Sequence, residues 1–250
     1  MFVKRDILGV QVSSVSFDEV LKYVAGKVKT TSEKIFIITP NPEIIMYAST
    51  HPAYKKILNS ADLALCDGVG VLVAGMLLKR PFKERIAGVD MMEKLCEMSV
   101  KNVMNIGLFG AGLGVAERAA KCLREKYPGI EIAFAVSELD ELMSKSSKEK
   151  KSNNNDLKKI IPSVDLLFVA LGFPKQEEWI SENLSHLPVR VAMGVGGAFD
   201  YISGDVKRAP FILRAVGLEW LYRLVIQPHR WRRQMALPHF FIKVLTKAKS

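Results

Sequence analysis

An apolar run, Leu63 to Cys66, stops at Asp67 and is followed by Gly68. A carboxylate at the end of a buried strand is a candidate general base, and a glycine after it lets backbone or ligand come close. The competing use of such an aspartate is to cap the next helix. Thr39-Pro40-Asn41-Pro42 follows a second apolar run. Its hydroxyl and amide suit a polyhydroxylated ligand, yet the same tetrapeptide is ordinary turn and cap chemistry. After a third run comes Gly172-Phe173-Pro174-Lys175-Gln176-Glu177, in which Lys175 and Gln176 open a helix. Gln176 there either holds a ligand hydroxyl or sits in a solvated first turn.

Glycines mark two further strand ends, Gly110-Ala111-Gly112-Leu113-Gly114 and Gly196-Gly197. Backbone N–H groups of such turns, with the helix that follows, can meet the phosphates of a nucleotide. Gly110, Gly112, Gly172, Gly196 and Gly197 are therefore the candidate nucleotide-binding glycines. As a dinucleotide fingerprint the first loop fails, since the third glycine of G-x-G-x-x-G falls on Val115. A tight turn with no ligand explains it equally well, and a nicotinamide oxidoreductase is the weaker reading.

Arg223, Arg230 and Arg233 are spaced to share one face of a continuous helix and to neutralise a diphosphate together, although Pro228 interrupts the segment. His51, His186, His229 and His239 show no metal-ligand spacing on one helix and are read as structural or interfacial. No Asp-x-Asp occurs, and Glu138-Leu139-Asp140 reads as a helix start. Neither a metal nor a cofactor is expected.

These residues need a scaffold that brings strand ends to one edge. Short apolar runs alternate with longer periodic segments, the pattern of parallel strands with helical crossovers. Strands are expected near Ile7 to Val12, Lys34 to Ile38, Leu63 to Cys66, Asn105 to Phe109, Ile130 to Val136, Asp165 to Leu171 and Val189 to Val195. Helices are expected from Ser16, with Glu19 completing a capping box, and over Pro42 to Asn59, Val69 to Leu78, Val89 to Met98, Leu113 to Lys126 and Pro174 to Leu184. The fold class is α/β, an open, mostly parallel, Rossmann-like sheet, whose ligands bind beyond the carboxyl ends of the strands. The polar stretch from Leu139 to Leu157 reads as a surface helix and loop without chemistry.

The chain has 250 residues, 49% of them hydrophobic, enough for one large core over 1–204. Residues 205–250 differ in texture. Pro210, Pro228 and Pro238 each suit the first turn of a short helix, so three are expected. The formal charge is +10, and from Val206 onward Lys207, Arg208, Arg214, Arg223, Arg230, Arg232, Arg233, Lys243, Lys247 and Lys249 face only Glu219. Arginines interleaved with Phe211, Ile212, Trp220, Leu221 and Trp231 resemble helices lying on an anionic membrane surface. Covering the domain edge or a homo-oligomer contact are the other uses. A nucleic-acid or lipid-binding module built on this tail leaves the polar strand ends unexplained, and nucleic acid is not expected as a partner. The three cysteines, Cys66, Cys96 and Cys122, read as reduced core residues. The charged N-terminus lacks an export signal, so the cytoplasm is the expected compartment. No window reaches the roughly 20 apolar residues that crossing a bilayer needs.

Taken in order, several stretches resemble the WecG/TagA/CpsF bacterial glycosyltransferases. They are Thr39-Pro40-Asn41-Pro42-Glu43, Asp67-Gly68, Glu84 to Asp90, Leu167 to Glu177, Met193 to Asp200, Lys207 to Pro210, Gly217 to Arg223 and Ala236 to Pro238, spread over nearly the whole chain. The resemblance implies an inverting, metal-independent transfer of N-acetylmannosamine, or a related N-acetylhexosamine or uronic acid, from a UDP-sugar to undecaprenyl-diphosphate-linked N-acetylglucosamine in cell-surface polymer synthesis. It implies that Asp67 is the base and that Thr39, Asn41, Arg85 and Gln176 lie in the substrate pocket. It also implies that Arg223, Arg230 and Arg233 sit in an appendage closing over the site at the inner face of the membrane. The chain departs from the family pattern in Cys66 before Asp67, where proline is usual, and in Ser137-Glu138-Leu139, where a glycine- and aromatic-containing segment is usual.

Overall fold

A computed structural model describes residues 2–30, 33–137, 161–228 and 231–249. The segment from Leu139 to Leu157, the Glu138-Leu139-Asp140 triplet, His229 and Arg230 lie outside the described residues.

Among the described residues six parallel strands form the sheet: β3 (Ile35–Ile38), β4 (Leu63–Ala64), β5 (Asn105–Gly110), β6 (Glu131–Val136), β7 (Val164–Ala170) and β8 (Val189–Gly194). Their order is β4-β3-β8-β7-β5-β6, so the open parallel α/β class read from the alternation is the class observed. Both faces are covered, which is why the strands are nearly continuous apolar runs. Ile35 and Ile37 point into one core with Leu166 and Phe168, while Phe36 and Ile38 point into the other with Leu167 and Val169. The first core packs under α1 (Phe17–Thr30), α5 (Gly88–Asn102), α6 (Val115–Lys126) and the short α8 (Ala198–Ile202). The second packs under α2 (Pro42–Thr50), α3 (Pro52–Ser60), α4 (Val69–Leu77) and α7 (Lys175–Asn183). Ser16 and Glu19 exchange the two capping-box hydrogen bonds, Ser16 N–H to Glu19 Oε2 at 2.9 Å and Glu19 N–H to Ser16 Oγ at 3.3 Å.

Two expectations need correcting, and one helix had none. The run from Ile7 to Val12 is not one strand of the main sheet. It is a hairpin of β1 (Lys4–Ile7) and β2 (Val10–Ser13), pairing Ile7 with Val10. Leu8 at φ 53° and Gly9 at φ 91° make its two-residue turn, the positive φ pair that matches strand twist. The helix expected over Pro42 to Asn59 is two helices, because Pro52 forces His51 out of helical geometry, at φ −124° and ψ 86°. The α8 helix has five residues, too few to leave a periodic signal.

Among its described residues the C-terminal segment holds four helices rather than three: α9 (Phe211–Ala215), α10 (Glu219–Ile226), α11 (Trp231–Gln234) and α12 (Ala236–Lys249). Gly217, at φ 78°, ends α9 by a left-handed turn in which Leu218 N–H donates to Leu213 O at 2.8 Å. That turn is the break the prolines did not announce. The segment also divides by environment. α12 packs on α2 and α4 and buries Phe240 and Val244 completely, whereas α9 and α10 bury no residue.

Candidate active site

Because the six strands are parallel, the ends of β3, β4, β7 and β8 open on one edge. There the chain encloses a cavity of about 310 Å³. Thr39, Asn41, Asp67, Arg85, Gly172, Gln176, Gly196, Gly197, Arg223 and Arg233 all line it. Gly110 and Gly112 do not. Strand order explains this: β5 lies outboard of β7, so its loop is displaced from the β3–β8 junction. That loop is a tight turn, with Gly110 at φ 102°, Ala111 at φ 70° and Ala111 N–H donating to Ala170 O at 2.9 Å. Lys175 is exposed and is not part of the wall.

Asp67 is partly open to the cavity, and its carboxylate has no side-chain hydrogen bond or ion pair among the described residues. It is not a cap, since Gly68, at φ 82°, is the N-cap of α4. Burial raises its pKa to about 7, Glu219 adds to the rise, and Arg85 opposes it. A carboxyl so poised takes up a proton readily near neutral pH. The preceding thiol is different: burial, with the charge of Asp67, pushes Cys66 up to about 12, so it stays protonated.

Asn41, in contrast, does cap its helix, its Oδ1 accepting from Ile44 N–H at 3.0 Å. Thr39 is held close by Gly88, where a Cβ would lie 3.2 Å from Thr39 Oγ1. Gln176 is neither a free ligand hand nor a solvated first-turn residue. It is buried, with Oε1 accepting from Gly196 N–H at 2.9 Å and Nε2 donating to Glu177 Oε1 at 2.7 Å. Arg223 and Arg233 come from α10 and α11, so they reach the same cavity through tertiary packing rather than along one helix face. The Arg223 guanidinium lies over the Tyr201 ring at 5.1 Å, and its Nε is buried without a hydrogen-bond partner among the described residues. Arg233 pairs with Glu43, Nη2 to Oε2 at 3.2 Å, and lies over the Phe173 ring at 5.1 Å. Among the described residues no group of three or more His, Cys, Asp or Glu side chains is placed to hold a metal ion.

The model of the glycosyl transferase WecG/TagA/CpsF family matches residues 5–250. The chain belongs to that family. Curated relatives agree with the match. An N-acetylglucosaminyldiphosphoundecaprenol N-acetyl-beta-D-mannosaminyltransferase of Staphylococcus aureus strain NCTC 8325 / PS 47 is 36% identical over 247 residues, covering 98% of this chain and 93% of the relative. The protein of the same description from strain MRSA252 is 35% identical over 248 residues with the same coverage.

Several residues of this glycosyltransferase's site had no clear sequence signal. Glu219 stood out only as the lone acid of a basic tail, yet it lines the cavity and raises Asp67. Tyr201 belongs to the short α8. Glu177 carried no assigned role, but it is 1% exposed, accepts from Tyr54 Oη–H at 2.9 Å, and is raised by burial to about 7 although the hydrogen bonds from Gln176 and Tyr54 favour its ionised form. Nothing in local composition says that this face of α7 turns inward.

Proposed function

We propose that the protein transfers an N-acetylhexosamine, N-acetylmannosamine in the first instance, from a UDP-sugar to undecaprenyl-diphosphate-linked N-acetylglucosamine for a cell-surface polymer. The Staphylococcus aureus relatives carry that acceptor and that sugar in their descriptions. In this reading an acceptor hydroxyl attacks the anomeric carbon in line, the bond from that carbon to the UDP oxygen breaks, and configuration inverts. Asp67 receives the hydroxyl proton. Negative charge gathering on the departing diphosphate is met by Arg223 and Arg233, with no metal required of the protein. The observation that carries this reading is an unpaired carboxyl, raised to about 7, in the same cavity as two arginines.

The acceptor is a lipid, and no helix among the described residues is long and apolar enough to cross a membrane. We assign docking on the inner face of the membrane to α9 and α10, where Phe211 and Ile212 are each 74% exposed beside Arg214. This use, rather than a homo-oligomer contact, accounts for arginines among the exposed apolar side chains. Residues 205–250 then act as a closing and docking segment on a catalytic body of residues 1–204. The test is incubation of the full chain with a panel of UDP-sugars and a short-chain lipid-diphosphate N-acetylglucosamine, product being read by mass. Formation of one disaccharide lipid from UDP-N-acetylmannosamine is expected, and absence of transfer from every UDP-sugar would refute the reading.

A further inference from the structure

A chain of buried hydrogen bonds runs from α3 to the rim of the cavity. Tyr54 Oη–H donates to Glu177 Oε2 at 2.9 Å, Gln176 Nε2 donates to Glu177 Oε1 at 2.7 Å, and Gly196 N–H donates to Gln176 Oε1 at 2.9 Å. Tyr54, Gln176 and Glu177 are each 2% exposed or less. The polarity is set from the Gly196 end. A backbone N–H can only donate, so Gly196 must face the amide oxygen, and the amide nitrogen must then find an acceptor, which the carboxylate supplies.

The amide also packs closely against the backbone, for a Cβ at Gly194 would be 2.9 Å from Gln176 Nε2. One residue beyond Gly196, the chain leaves a notch. A Cβ at Gly197 would lie 2.8 Å from Arg223 Nη2, so the guanidinium occupies the space of the missing side chain. The turn held by Gln176 is thus the turn that seats Arg223.

Burying a carboxylate is costly, and an apolar residue of similar size would fill the site without that cost. We infer that Glu177 is a positioning residue: it orients the Gln176 amide, which fixes the Gly196-Gly197 turn, which seats Arg223 at the cavity. This rests on the proposed role of Arg223 in meeting the charge of the departing diphosphate.

A double-mutant cycle on the full chain tests it, with kcat and acceptor KM measured for transfer from UDP-N-acetylmannosamine. Displacing a positioning group by an ångström costs on the order of a hundredfold, so Glu177→Leu should lower kcat by about tenfold or more and leave acceptor KM unchanged. Glu177→Gln, whose carbonyl still accepts from Gln176, should restore most of the rate. In an Arg223→Ala background, Glu177→Leu should cost less than about twofold more, because the group it positions is gone. Losses that multiply, or a wild-type rate in Glu177→Leu, overturn the inference while leaving Arg223 its role. A wild-type rate in Arg223→Ala overturns both. Should Glu177→Leu fail to fold, Tyr54→Phe removes only a hydroxyl and must show the same dependence on Arg223, a loss present with the arginine and absent without it.

Discussion

Arg208 holds Asp90 with both terminal nitrogens, Nη2 to Oδ2 at 2.9 Å, and turns its Nε to Glu219 Oε1 at 3.1 Å. Burial works to raise the Asp90 carboxyl, but the hydrogen bond and charge of Arg208 outweigh it and hold Asp90 below the usual range. One guanidinium therefore ties the start of α10 to α5 beside Asp67 and sets charges around it. After burial, Glu219 raises Asp67, while Arg85 and Arg208 lower it and Asp90 raises it. Activity that needs ionised Asp67 should rise with pH through about 7. Glu219→Gln removes a negative neighbour and should move that limb of kcat/KM to lower pH, and Arg208→Ala should move it higher. A limb unmoved in both variants would mean that another group controls it.

Asp67→Asn should separate chemistry from stability. Loss of a general base typically costs about a hundred- to ten-thousandfold in rate. The folded pKa of about 7 lies above the ordinary 3.8, so the folded state holds this proton more tightly than the unfolded chain. That contribution is present at low pH and is lost as pH rises from about 4 to about 7. The variant, which never ionises, should thus gain on wild type across this window, by a few kcal/mol at most, and keep a constant margin above it. Denaturant melts at stepped pH read the effect, and a margin independent of pH would contradict the burial argument.

Phe240 is fully enclosed between α12 and the helices α2 and α4. Its truncation to alanine should cost about 3–5 kcal/mol, the range for a large aromatic in a packed core. Gly70→Ala strikes the same seam, since its Cβ would sit 2.6 Å from Pro42 Cγ and 3.2 Å from Leu237 Cδ1. Chemical denaturation of both variants would show whether the last helix is part of the cooperative unit; unchanged midpoints would show that it is not.

The exposed side chains of α9 should matter only at a lipid surface. Phe211→Glu with Ile212→Glu removes two apolar groups that contact no core, so the melting temperature should stay within a degree or so. Binding to vesicles rich in anionic phospholipid should weaken at least about tenfold, given roughly 1.5–3 kcal/mol for each large side chain that leaves an apolar phase. Vesicle sedimentation at two salt concentrations separates this apolar term from the arginine term, which salt screens. Undiminished binding would place the lipid contact elsewhere.

How much was legible follows from the range of the forces involved. Alternating apolar runs and periodic segments are local, so the sequence by itself determined the parallel α/β class, the positions of the main strands and the polar residues at their ends. Turn chemistry is local too, yet Leu8-Gly9 and Gly217 needed backbone geometry to show that they fold a hairpin and break a helix. Which strand ends share a cavity depends on strand order, a long-range property, and that order left Gly110 and Gly112 outside. Tertiary structure alone brought Arg223 and Arg233 together across a helix break, placed Glu219 beside Asp67, and turned Glu177 inward. The physical reason is the same in each case. A carboxyl's environment, and hence its proton affinity, is set by groups far away in the chain, and only the packed fold decides which of them stand next to it.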